Sequence, residues 1–189
     1  WLKGEGISRT AIGVFALVGT PYALKFLWSP LIDRLPLPIL TRLLGRRRGW
    51  GVLIQALLIV FILGLGSTDP ARQIWLTAVL AVVVAFLSAS QDIVIDAYRV
   101  EILSDEQQGP GAGAVQAGYR IAMLAAGAGA LLVASQWGWF AAYATMAALV
   151  GVGMAVFLLG PEPEIKVSAA TAERERRAAE YLEARPHLR

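Results

Sequence analysis

Four ionisable side chains sit well inside long apolar stretches of this chain: Lys25, Asp92, Asp96 and Arg120. A charge held at the centre of a bilayer costs about 2.5–3.5 kcal/mol on insertion scales. Groups retained at that cost face a protein interior or a wet cavity, where they can carry protons or ions and hold polar solutes. Asp92 and Asp96 are one turn apart on one helical face. An aspartyl-protease dyad needs two carboxylates brought to one shared proton. Adjacent turns of a single helix suit that poorly, and a cationic neighbour opposes it. The chain has no cysteine and one histidine, His187, so cysteine nucleophiles, disulfides and zinc sites are excluded by inventory. Gly109-Pro110-Gly111-Ala112-Gly113-Ala114 imitates a dinucleotide-binding turn, but no strand precedes it.

The elements that must position these charges are transmembrane helices. Apolar residues make up 57% of the 189-residue chain and charged residues 16%, against about 45–50% and about 25% in an ordinary soluble domain. Five stretches, near 10–31, 50–67, 74–98, 112–134 and 139–159, approach or exceed the roughly 20 helical residues that span hydrocarbon. Only helices cross lipid singly, because each satisfies its own backbone groups. Trp28, Trp50, Trp75, Tyr98, Trp137 and Trp139 mark span ends, where amphipathic rings suit the headgroup layer. The predicted architecture is an all-α membrane bundle over 1–159, followed by a charged, solvated linker over 160–189. Pro21 predicts a kink in the first span, and Gly118, Ala122, Ala125 and Gly129 predict close helix packing in the fourth.

The first, third and fourth spans carry the buried charges; the second and fifth carry none. By helical rise, Lys25 lies about 12 Å inside the Asp33 end of its span, Asp92 about 10 Å inside Arg99, and Arg120 about 12 Å inside Ala112. The three are predicted to share one level and to form one network, with Asp96 a turn nearer the membrane surface. The plainer alternative is a static set of ion pairs that only holds the bundle together.

Orientation follows from Lys and Arg. One side holds Arg34, Arg42, Arg46, Arg47, Arg48, Arg99, Lys166, Arg174, Arg176, Arg177, Arg185 and Arg189; the other holds Lys3, Arg9 and Arg72. The positive-inside rule places the first group, and the C-terminal tail, in the cytoplasm. The Gly45-Arg46-Arg47-Arg48 run then reads as an anchor beside anionic headgroups. The net charge of +3 reads as topology rather than nucleic-acid affinity. A chain that opens at Trp1 and enters the membrane from outside is expected to be an internal segment lacking one upstream helix.

Longer runs carry a family resemblance. Thr20-Pro21-Tyr22-Ala23-Leu24-Lys25-Phe26-Leu27-Trp28-Ser29-Pro30-Leu31-Ile32-Asp33-Arg34, with Gly45-Arg46-Arg47-Arg48-Gly49-Trp50, resembles the second helix and following loop of AmpG-type anhydromuropeptide permeases. Ser88-Ala89-Ser90-Gln91-Asp92-Ile93-Val94-Ile95-Asp96-Ala97-Tyr98-Arg99 resembles their fourth helix, and Gly118-Tyr119-Arg120 their fifth. These permeases belong to the major facilitator superfamily and are related to acetyl-CoA transporters. Two departures stand out: an insertion separates Asp33-Arg34 from Gly45-Arg46-Arg47, and Ser29 replaces the usual glycine four residues before the aspartate.

The resemblance implies helices two to six of an N-terminal bundle, with helix one and the C-terminal half absent. It implies proton-driven import of anhydromuropeptides across the bacterial inner membrane, with no cofactor or metal and no catalysis. Its partners would be membrane lipid, the muropeptide and protons, without nucleic acid. Lys25, Gln91, Asp92, Asp96, Tyr119 and Arg120 would line the substrate and coupling cavity, and Asp33, Arg34 and Arg99 would form a cytoplasmic gate. The alternatives are transport of another large polar solute such as acetyl-CoA, or a membrane enzyme using Asp92 or Asp96.

Overall fold

The computed structural model describes residues 16–163. The first residues of the predicted first span, Lys3, Arg9 and the tail from 164 onward lie outside them. Among the described residues the chain is helical, and three stretches are long and apolar enough to cross a membrane: Arg46–Gly66, Ile74–Ile102 and Asp105–Leu159.

The first span is not one helix. It is a string of short turns: a 3₁₀ turn Ala16–Gly19, α1 (Thr20–Leu24), a second 3₁₀ turn Lys25–Leu27, and α2 (Ser29–Arg34). Pro21 and Pro30 each sit in the first turn of their short helix, where a missing N–H is tolerated. A kink was predicted at Pro21; two prolines divide the span more thoroughly than one. The string lies along the helix Ile74–Ile102. Tyr22 Oη and Ser88 Oγ are 2.5 Å apart, the Trp28 indole donates to Ser90 Oγ at 3.0 Å, and the Trp28 and Phe86 rings are 4.7 Å apart.

A short helix, α3 (Leu40–Leu44), fills the insertion before Gly45 and packs on α4 (Arg46–Gly66). Gly45 has φ +88°, a conformation that strains any residue with a Cβ, and it turns the chain into α4. The helix α5 (Ile74–Ile102) returns beside α4, and α4 also packs extensively on α7 (Ala130–Leu159). A Cβ at Gly51 would strike Phe157, one at Gly153 would strike Gln55, and one at Gly66 would strike Tyr143. This reversed order shows that α4 and α7 run antiparallel at close approach. Ile32, Ile54, Leu58, Leu87, Val94 and Phe157 form the buried core between the elements.

The fourth and fifth predicted spans are two helices that meet at a kink: α6 (Asp105–Leu124) continues through a π-helical turn Ala125–Gly129 into the first part of α7, and the second part of α7 follows the kink. Within α7, Gly138 has φ +83° and ψ 170°, so the run folds back there, at the predicted connection. Cavity linings pair Ala126–Leu131 with Trp139–Met146, and Ala122–Ala126 with Met146–Gly153, as an antiparallel hairpin requires. The helix α6 starts at Asp105, seven residues before the predicted span, because Gln107 Oε1 accepts the Ser104 N–H at 3.1 Å. The dinucleotide-like glycines therefore lie inside a helix. Among the described residues the small residues of α6 and its π turn make no close helix packing: α6 is mostly exposed, and cavities separate the two from α4, α5 and the second part of α7.

Candidate functional site: two charged layers

The mid-span layer is built on one face of α5. Ser88, Gln91, Asp92 and Asp96 recur at helical spacing. Lys25, from the 3₁₀ turn of the first span, brings Nζ to 4.0 Å from Asp92 Oδ2. The pair is loose: the side chains are 40% and 47% exposed. Asp92 also borders two cavities. One, of about 450 Å³, lies among α4, α5, the end of α6 with its π turn, and α7, and is lined by Gln55, Ser88, Gln91, Asp92 and Met146 among others. The other, of about 380 Å³, lies between α5 and α6, with Asp92, Asp96, Gln116 and Tyr119 on its walls. A carboxylate held by a half-exposed ammonium at the meeting of two cavities can exchange that partner for a solute or a proton.

The three-member network is not complete. Arg120 is exposed and makes no ion pair among the described residues, because α6 stands off from α5 across the second cavity. Shared depth put the residues on one level but said nothing of the gap between helices. Tyr119 and Gln91 reach cavity walls. Asp96 is exposed and makes no ion pair among the described residues, although it lines the second cavity.

The second layer closes one end of the bundle. Arg47 is 6% exposed and satisfies its guanidinium on two carboxylates. Its Nη1 donates to Asp33 Oδ1 at 2.6 Å, its Nε to both Glu101 oxygens at 3.0 Å, and its Nη2 to Glu101 Oε1 at 2.5 Å. Such forked, charge-assisted bonds are the strong class. Arg46 donates to the Asp33 carbonyl and lies 3.8 Å from Glu101.

Glu162 and Arg48 then tie α4 to α7 reciprocally. Glu162 accepts the Arg47 and Arg48 N–H groups at 2.8 and 3.1 Å, an anion on a helix N-terminus. Arg48 donates to the last carbonyls of α7, Phe157 O at 2.7 Å and Leu158 O at 2.5 Å. Gly45 leaves the space that Glu162 fills. Tyr98 adds a bond to Pro161 O at 2.7 Å.

Of the three expected gate residues, Asp33 belongs to this layer. Arg34 is exposed without an ion pair, and Arg99 leaves a buried Nε unbonded among the described residues. Arg47, Glu101 and Glu162 are the residues that complete this layer around Asp33. Where the sequence predicts a lipid anchor, the arginine run packs inward: α3 folds the insertion so that Arg46 and Arg47 return to Asp33. The signal for Glu101 and Glu162 was available: they are acids at the boundary where arginines accumulate.

The Major Facilitator Superfamily profile matches residues 2–188. The anhydromuropeptide permease of Escherichia coli strain K12 is 47% identical over 164 residues, covering 86% of this chain and 33% of that protein. An uncharacterized protein of Haemophilus influenzae is 40% identical over 167 residues, covering 87% of this chain and 38% of that protein. The chain thus spans about a third of the length of the curated relatives it matches.

Proposed function

This chain belongs to the Major Facilitator Superfamily, and from that premise we propose that it forms part of a proton-coupled importer of anhydromuropeptides in a bacterial inner membrane. The observation that carries the reading is the 47% identity to the E. coli permease along almost all of the bundle. The polar face of α5 is consistent with it. In a transporter of its relatives' length, the first span, α5 and α6 would form one wall of the substrate path. The enzyme alternative has no support: the chain's family is one of transporters.

The mechanism starts from the loose Lys25–Asp92 pair. Each group compensates the other's desolvation. When a polar substrate draws Lys25 away, Asp92 loses its compensation and takes up a proton more readily; when substrate leaves, Lys25 returns and the proton is released. The Asp33–Arg47–Glu101 layer would keep one end closed while the other is open. By the arginine count that end is cytoplasmic, and the tail with it.

The deciding experiment uses full-length protein bearing this chain, reconstituted in liposomes with an imposed pH gradient and labelled anhydromuropeptide. Concentrative uptake that an uncoupler abolishes is expected; uptake of acetyl-CoA alone would favour the other solute class. Single cysteines at Ser67 and Ser104 are expected to label from opposite sides of the membrane, and labelling from one side would reject the orientation.

A further inference from the structure

Gln55 lies within α4 and is 1% exposed, the largest fully buried side chain among the described residues. Its side chain makes no hydrogen bond among those residues, and Oε1 is buried and unpartnered. Leaving a buried amide unbonded costs about 1–3 kcal/mol, and hydrocarbon outside the bundle offers nothing to relieve it. Buried polar groups in native proteins are met by protein or by ordered water. Here the space for water exists. Gly153 on α7 admits the carboxamide, since a Cβ there would lie 2.9 Å from Gln55 Nε2. The same side chain borders the cavity of about 450 Å³ that reaches Ser88, Gln91 and Asp92.

We propose that this cavity holds a cluster of ordered waters joining Gln55 to Asp92, and that the cluster is the branch by which a proton reaches or leaves Asp92. The proton role rests on the transport reading above; the water site does not. Volume is not limiting, since a water takes about 30 Å³. Polar partners are the scarcer need, and a buried water wants two to four of them. The Gln55 and Gln91 carboxamides offer both donors and acceptors, the Ser88 hydroxyl either, and Asp92 acceptors. Leu58, Ile62 and Val84 make much of the remaining wall apolar and confine water to the polar end, with Met146 on the same cavity.

The titratable groups around Asp92 are Lys25 and Tyr22 from the first span, Asp96 on its own helix, and Tyr119 across the second cavity. The α4 and α7 walls contribute none. Gln55 therefore acts as a positioning residue for water and does not itself carry the proton.

The test is radiolytic hydroxyl labelling of full-length protein in lipid nanodiscs, which marks side chains beside bound water. Met146 is expected to take up label in the wild type, to lose it in Gln55→Leu, and to keep it in Gln55→Glu. An unlabelled Met146 in the wild type, or equal labelling in Gln55→Leu, would overturn the water site. A separate readout addresses the proton branch. Gln55→Leu should slow pH-driven accumulation while leaving substrate counterflow unchanged; unchanged accumulation overturns the branch. If Asp92→Asn still accumulates substrate while the Met146 pattern holds, the coupling assignment to Asp92 fails and the water site stands.

Discussion

The mid-span layer and the end layer use the same residue types under opposite packing. At the end, Arg47 is buried and forked onto Asp33 and Glu101, and Glu162 and Arg48 cap each other's helices. In mid-span, Lys25 and Asp92 stand 4.0 Å apart and nearly half exposed, Arg120 has no ion pair among the described residues, and the Gln55 side chain has no hydrogen bond among them. A buried charge with several partners is costly to uncover, because removing one leaves the others desolvated and unpaired. A half-exposed pair is cheap to separate, because solvent or a solute replaces each partner. The end layer therefore ties the helices together, and the mid-span pair contributes far less to holding them. The plainer reading, in which ion pairs only hold helices together, describes the end layer well and the mid-span layer poorly.

The comparison breaks or sharpens on mutants of full-length protein, followed by thermal unfolding in detergent and by transport. Arg47→Met should be the most damaging, by about 3–5 kcal/mol, as when one member of a buried ionic set is removed. Parity between Arg47→Met and Lys25→Met in thermal stability would break the contrast. Gly45→Ala should come next, since it strains a positive φ and displaces Glu162. Glu162→Gln, which keeps the shape but not the charge on the α4 N-terminus, should cost about 0.3–1 kcal/mol. A Gly45→Ala protein that melts with the wild type would show that Glu162 is not held there.

Asp92→Asn should move thermal stability little and abolish concentrative uptake while retaining exchange. Loss of folding instead of coupling would make Asp92 a structural residue. Arg72→Gln is the floor. Arg72 pairs with Asp69 at 3.4 Å in an exposed loop, and such substitutions stay within about 0.5 kcal/mol of the wild type.

Much of this molecule is written in local order. Apolar length determines that the stretches near 50–67 and 74–98 are helices, because lipid leaves the backbone no other way to satisfy itself. A glycine after Ser135-Gln136-Trp137 marks the fold-back at Gly138, and prolines mark the broken first span. Helical periodicity alone puts Ser88, Gln91, Asp92 and Asp96 on one face.

Partner choice was not local. Depth arithmetic counts residues along each helix, so it brought Lys25 to the level of Asp92 and brought Arg120 there as well. Whether charges at one level touch depends on the gap between helices, and that gap is open beside α6 and closed beside the first span. Arg47, Glu101 and Glu162 are far apart in the chain, and each alone reads as a surface charge. Their pairing follows from the packing of α4 against α5 and α7 and from α3 folding the insertion back. The sequence determined which residues carry charge and how deep; packing between helices decided which of those charges are locked and which are free to exchange.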